Sequence, residues 1–382
     1  MKVGLVVPEY PPDTIGGGGV VFEALARGLH AAGHDVRVLT SATAGGPPGG
    51  EAPFPLLRVR QWRHFTPQYR TYMPPAPFAL APARAFLRGC DVVHLHGYGM
   101  AFIDLAALRA DRRRTVFTSH GLPYTARRSR GALGLAYRAY DRVFGRRVLE
   151  SRIVTAVSTH AAAEIADIAP YGVRVIPNGL SMPAPSIACA PEVEREIAKG
   201  PYLLTVGRIE ALKGYRDAIA ALAEVARRGA PLRLILAGEE SGAGPALRDL
   251  ARRSGIEDRT SFVGRLERAD VARLYAGATA TLVTSRTESF SLVGLEAMSA
   301  GCPAILADVG GIADYARDRE NALMVAPGDP AGIAAAIAEL LERPALAAHV
   351  AAGGRATAAR YSWDAIVERY VAVYRECREG SS

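Results

Sequence analysis

The feature that most constrains this 382-residue chain is a regular alternation of short β-branched runs with amphipathic stretches. Runs at 3–7, 36–40, 91–94, 115–118, 153–157 and 173–176 fill the first half. Runs at 202–206, 232–237, 260–263, 280–284, 304–306 and 323–325 fill the second. The segments between them, such as 20–32 and 218–228, repeat their apolar residues at the helical period. Helical crossovers join parallel strands, so the pattern predicts parallel sheets covered on both faces. It pauses across "IPNGLSMPAPSIACAPEVE" and then restarts, which places a linker near residues 181–194. The length exceeds what one ordinary core fills. The expectation is an α/β protein of two Rossmann-like, doubly wound parallel-sheet domains, 1–183 and 184–362, facing a central cleft. A last helix occupies 363–382. Ligands of such sheets bind beyond the carboxyl ends of the strands.

Composition removes several function classes. The net charge of +8 is almost all arginine, with lysine only at Lys2, Lys199 and Lys213. That skew accompanies many Ala and Gly and reads as coding bias, so no nucleic acid partner is expected. Cys90, Cys189, Cys302 and Cys377 lie far apart without CxxC or Cys/His spacing, as free thiols do and metal or disulfide frames do not. "MKVGLVVPEYPP" reaches proline at Pro8, as a first strand does and a signal peptide does not. No stretch approaches the roughly 18 apolar residues of a membrane span. A cytoplasmic location is the expectation. Nothing in the sequence sets the oligomeric state.

Three loops follow predicted strands and carry the chemistry. "TIGGGGV", residues 14–20, opens a helix with Gly16, Gly17 and Gly18, whose bare backbone suits either an anion or a simple tight turn. Phe22 stands where a dinucleotide fingerprint needs its third glycine. In "VGRIEALKG", residues 206–214, Arg208 and Lys213 leave a strand end five residues apart, within reach of one pyrophosphate. They also suit a solvated surface. In "SRTESFSLVGLEAM", residues 285–298, Glu288 precedes a predicted helix and Glu296 lies inside it. The backbone N–H groups at Phe290, Ser291 and Leu292 are the orphan donors of that helix start, a ready site for phosphate. Two acids for hydroxyls with anion donors between them fit a nucleotide sugar. The rival readings are an acid complementing the helix dipole for Glu288 and a solvated helix face for Glu296.

Taken in order, these motifs resemble the retaining GT-B glycosyltransferases of family 4, the glycosyl transferases group 1. The resemblance covers nearly the whole chain: E-x7-E as Glu288 to Glu296, G-R-x-x-x-x-K-G at 207–214, "IPNG" at 176–179, "SHG" at 119–121 and "DVVHLH" at 91–96. The resemblance implies that Arg208 and Lys213 bind the donor diphosphate, Glu288 holds the transferred sugar and Glu296 the ribose. It places His120 near the reacting sugar, Leu266 beside the nucleobase, and Gly16, Gly17 and Gly18 over the phosphates or acceptor. Catalytic roles fall to Glu288, His120, Arg208 and Lys213. The donor set adds Ser289, Phe290, Ser291 and Leu292. The resemblance also packs the last helix back on the first domain, with cleft closure as part of turnover.

Ser289 and Ser291 stand where the family often has glycine, and serine there suits a helix cap or a phosphate contact. The expected reaction is hexosyl transfer from a nucleotide diphosphate sugar, UDP-sugar favoured, with no cofactor or metal required. A small hydroxylated acceptor is favoured, with His96, Tyr124, Trp62 and Tyr72 as contacts. The stretch 43–82, rich in Pro, Gly and aromatics, is read as a binding loop or an excursion from the fold. His94 and His96 are read as pointing to opposite sides of their strand, one to the core and one to the cleft. The segment 126–152 alternates arginines with apolar residues. A core-facing helix with a solvated basic face is favoured there over peripheral contact with an anionic membrane, which would serve a lipid-linked or polysaccharide acceptor. Remaining alternatives are a sugar-nucleotide epimerase and a silent binding protein.

Overall fold

Two parallel sheets organise the computed structural model, which describes residues 1–12, 14, 17–42, 52–60, 80–121, 132–151, 153–182 and 189–380. Gly16, Trp62, Tyr72 and Tyr124 lie outside the described residues. Contacts divide the chain into one unit of Met1–Gly179 with Trp363–Ser382 and a second of Leu180–Ser362.

The first unit holds β1 (Lys2–Val7), β2 (Asp35–Ala42), β3 (Leu56–Arg60), β4 (Val92–His96), β5 (Thr115–Ser119), β6 (Ile153–Ala156) and β7 (Arg174–Val175). Their order in the sheet is β3-β2-β1-β4-β5-β6-β7, every pair parallel. The chain builds outward from β1 to β3, then returns to β1's other side as β4, so the switch point lies between β1 and β4. β3 corrects, for residues 56–60, the sequence reading of 43–82 as a binding loop or an excursion from the fold; residues 43–51 and 61–79 lie outside the described residues. Leu56–Arg60 is an edge strand paired with β2. Its alternating "LLRVR" is too short, and too close to prolines, to stand out beside the longer runs.

The helix Trp363–Glu379 belongs to this unit. Its buried residues Ile366, Val367, Tyr370, Val371, Val373, Tyr374 and Cys377 repeat at helical spacing and form one stripe. The stripe packs on the helix Gly17–Ala31, so closely that a Cβ at Gly28 would lie 2.7 Å from Val367.

The second unit holds β8 (Tyr202–Val206), β9 (Arg233–Ala237), β10 (Thr260–Gly264), β11 (Ala280–Val283), β12 (Ala304–Ala307) and β13 (Leu323–Val325), in the order β10-β9-β8-β11-β12-β13. All are parallel and all but β10 are largely buried, which is why they read as unbroken apolar runs. Here the switch point lies between β8 and β11. Leu203, Leu234, Leu282, Ile305 and Leu323 meet the helices Tyr215–Arg227 and Pro330–Glu342 in one core through Ala218, Ile219, Leu222, Ile333 and Ile337.

Candidate active site

In the second unit the loops after β8 and β11 are fastened together. Gly207 leaves β8 at φ 128°, and its carbonyl accepts from the Tyr215 hydroxyl at 2.8 Å. The chain turns back at Gly214, φ 68°, where an added Cβ would sit 1.9 Å from the Thr284 carbonyl oxygen. Glycine is required twice over there, by backbone angle and by space. The Thr284 hydroxyl lies 3.0 Å from the carbonyls of both Lys213 and Gly214, and the Arg286 N–H donates to the Leu212 carbonyl at 2.8 Å.

This fastening sets the charges. Lys213 Nζ lies 2.8 Å from Glu288 Oε1, which also accepts from the Ser285 hydroxyl at 2.7 Å. The Glu288 side chain is only 11% exposed, so its direction is held by two donors and by burial. An ammonium carries three donors, and this contact uses one. Arg208 stands 3.5 Å from Glu210 with more than a third of its side chain exposed. The two cations that the spacing joined to one anion therefore each face a carboxylate of their own.

The helix Leu292–Ser299 starts at Ser291, whose φ of 67° is left-handed. Ser291 makes no side-chain cap, and its buried hydroxyl has no partner among the described residues, so the capping role read from the sequence is not what the serine does. Phe290 turns inward, 3% exposed, with its ring 5.8 Å from those of Tyr315 and Tyr361. Tyr315 donates to the Ser291 carbonyl at 3.1 Å. With the side chain anchored inward, the backbone N–H groups of Phe290, Ser291 and Leu292 find no acceptor among the described residues. Ser289 occupies the same entrance beside Glu288.

Glu296 lies one turn further in. Its Oε2 accepts from the Tyr275 hydroxyl at 3.2 Å, its Oε1 stands 4.0 Å from Arg268, and 15% of the side chain is exposed. Burial holds its carboxyl above the ordinary range, with Arg268 and Tyr275 opposing. Leu266 is half-buried in the turn after β10, where the Gly264 carbonyl accepts from Gly238 N–H at 2.7 Å. Thr284, Ser285, Tyr215, Tyr275 and Tyr315 were not among the sequence candidates. Thr284 and Ser285 directly precede the acidic stretch and could have been found there. The tyrosines have no spacing that marks them.

The carboxyl end of the first unit's sheet differs in kind. Gly17, Gly18 and Gly19 begin the helix Gly17–Ala31, and Gly19 N–H donates to the buried Glu9 carboxylate at 2.8 Å. A Cβ at Gly18 would lie 2.9 Å from that same oxygen. This helix entrance already holds a carboxyl group, supplied by a residue the sequence reading passed over.

His94 and His96 correct the reading that put them on opposite sides. Residues two apart in a strand share a face, and their rings lie 3.9 Å apart by centroid, both fully buried. His94 bonds the Tyr374 hydroxyl and the Thr118 hydroxyl, each at 2.6 Å. His96 Nδ1 lies 3.0 Å from His120 Nε2, and Phe22 packs its ring 5.2 Å and 5.1 Å from the two. Burial lowers all three histidines, His120 to about 4, so the cluster is neutral at pH 7. Among the described residues no three His, Cys, Asp or Glu side chains gather as a cation cage.

The chain from Ala132 to Val148 corrects another reading, that of a core-facing helix with a solvated basic face. It runs as a helix with a π turn at Asp141–Gly145, tied inward by Tyr140 to Asp104 and Tyr98 to Asp141, both 2.6 Å. Yet Leu135, Val143 and Phe144 are 61%, 57% and 42% exposed, interleaved with exposed Arg138, Arg142, Arg146 and Arg147. Val143 and Phe144 do not face the core. No helix among the described residues is long and apolar enough to cross a membrane.

Residues 190–357 match the family described as Glycosyl transferases group 1, and residues 15–182 match Glycosyltransferase Family 4. A glycogen synthase of Mycobacterium tuberculosis (strain CDC 1551 / Oshkosh) is 31% identical over 408 aligned positions, spanning 100% of this chain and 96% of its own. Among solved structures, a sucrose-phosphate synthase from Thermosynechococcus elongatus superposes with TM-score 0.82 at 23% identity over 98% of both chains. HepE of Anabaena, solved with UDP-glucose, superposes with TM-score 0.74 at 20% identity over 98% of this chain and 100% of its own.

Proposed function

The chain belongs to glycosyltransferase family 4, with the GT-B fold, and from that premise we propose that it transfers a hexosyl group from UDP-sugar to a hydroxyl acceptor with retention of configuration. The observation that carries this reading is the fastened pair of loops after β8 and β11, which holds Glu288 on Lys213 and Ser285 beside a helix start with unclaimed N–H groups. In the proposed step the bond from the anomeric carbon to the diphosphate oxygen breaks as the acceptor oxygen bonds that carbon from the same face; negative charge develops on the phosphate oxygens, and the departing diphosphate takes the acceptor's hydroxyl proton. Arg208, Lys213 and the N–H groups of Phe290, Ser291 and Leu292 are the groups suited to that charge. Glu288, held by two donors, accepts from hydroxyls of the moving sugar. Glu296 takes the ribose hydroxyls, and Leu266 borders the base. His120 is assigned to the sugar.

For the acceptor, a small hydroxylated molecule such as a sugar phosphate is favoured. Support comes from the sucrose-phosphate synthase likeness, whereas the glycogen synthase likeness points to a polysaccharide. A second reading, a lipid-linked acceptor at a membrane surface, is favoured by exposed Leu135, Val143 and Phe144 among arginines. Incubation of UDP-[14C]glucose with glucose 6-phosphate, inositol phosphate, glycogen and a polyprenyl phosphate in anionic vesicles tests these together. Label in one acceptor, with an α-anomeric product by NMR, supports retaining transfer. Label in none, from any nucleoside diphosphate sugar, contradicts it.

A further inference from the structure

Two arrangements are open to the hydrogen bond between His96 Nδ1 and His120 Nε2. If His120 Nε2–H were the donor, His96 would carry its proton on Nε2. That nitrogen is buried and has no partner among the described residues, so the proton would be a buried donor with no acceptor. If His96 Nδ1–H donates instead, His96 Nε2 is a bare lone pair. An unsatisfied acceptor is tolerated in an interior more readily than an orphaned N–H. His94 cannot rescue the first arrangement. Both its ring nitrogens are engaged, by Tyr374 and Thr118, and it meets His96 as a tilted ring 3.9 Å away.

We infer that His96 is a positioning residue that donates from Nδ1 and so fixes His120 in the tautomer with its proton on Nδ1, directed away from the pair. Phe22 holds both rings in place. His120 is partly exposed, and its Nδ1 makes no hydrogen bond among the described residues, so this is the nitrogen open to a ligand. His120 then meets a substrate oxygen as a neutral hydrogen-bond donor and not as a base. A sugar hydroxyl or a phosphate oxygen is the partner such a donor takes. The consequence for transfer rests on the function proposed above; the tautomer does not.

The test uses the full chain labelled with 15N-histidine, with His120 assigned by its loss in His120→Gln. Long-range proton–nitrogen spectra at pH 7 are expected to show His120 protonated at Nδ1 and bare at Nε2. Protonation at Nε2, or rapid exchange between tautomers, overturns the assignment. A second arm compares UDP-glucose with UDP by calorimetry. His96→Leu is expected to weaken UDP-glucose about fivefold while leaving UDP unchanged, and His96→Asn, which keeps a donor at the same place, to restore it. An unchanged ratio in folded His96→Leu overturns the positioning role. Wild type that fails to bind UDP-glucose overturns the donor reading, while the spectrum still decides the tautomer.

Discussion

Past the ends of β8 and β11 stand Arg208, Glu210, Lys213 and Glu288, on loops joined by three backbone and hydroxyl bonds, with Glu296 in the helix that follows. At the carboxyl ends of β4 and β5 gather neutral histidines and threonines, with Phe22 of the helix Gly17–Ala31 and two tyrosines of the last helix packed against them. Both places lie at a sheet's carboxyl end, at the switch point in the second unit and beside it in the first, so topology alone does not decide what each does. The difference lies in where charge is held. A departing diphosphate needs fixed positive groups and free N–H donors, and among the described residues it is the second unit's sheet end that combines them. The first unit's end meets its nearest helix entrance with a carboxylate, Glu9, and suits uncharged hydroxyls.

Breaking the charged end is expected to have the largest effect. Glu288→Gln and Lys213→Ala each remove one partner of a part-buried ion pair, and transfer should fall about 100- to 1,000-fold, measured as initial rate at saturating donor. A fall under tenfold in both would place the chemistry elsewhere.

Next comes the fastening. Gly214→Ala meets both a left-handed backbone and the Thr284 carbonyl. It should cost about 3 kcal/mol in urea unfolding and weaken UDP binding. Loss of stability without loss of binding would separate the fastening from the site.

Ser291→Gly sharpens the comparison in the opposite direction. Relief of the left-handed serine should add about 1–2 kcal/mol of stability. A destabilised variant would contradict the strain read from φ 67°.

The smallest effect belongs to the first unit. Burial raises Asp104 from 3.8 to about 7, against hydrogen bonds from Tyr140 and the Gly99 backbone. A carboxyl with a raised native pKa binds its proton more tightly folded than unfolded, so stability falls as pH rises between those values and levels off above. Asp104→Asn should therefore gain stability relative to wild type from pH 4 to 7, with transfer rate unchanged. A constant difference across that range would contradict it.

Much of the charged end is legible in the sequence because its parts are local. Arg208 and Lys213 follow one strand, Glu288 and Glu296 bracket one helix start, and each spacing lies within a single loop or turn. What escaped is made by distant residues or by backbone angle. The Lys213–Glu288 pairing joins loops 75 residues apart. The Tyr374–His94 bond spans 280 residues. The φ of Ser291 has no signature in residue type, although glycine in relatives of the resembling family fits that angle. The edge strand Leu56–Arg60 escaped because five residues among prolines carry little periodicity. The histidine reading failed for a simpler reason: two residues on a strand is one full pleat, which returns the side chain to the same face.

The most direct test of the central claim is thermal stabilisation by UDP of wild type and Glu296→Ala. At one hundred times its dissociation constant a ligand adds about 2.7 kcal/mol, a rise of about 5–10 °C in Tm. The account predicts that rise for wild type and its loss in Glu296→Ala. An equal rise in both, or none with any nucleoside diphosphate, would contradict the assignment of the β8 and β11 loops as the donor site.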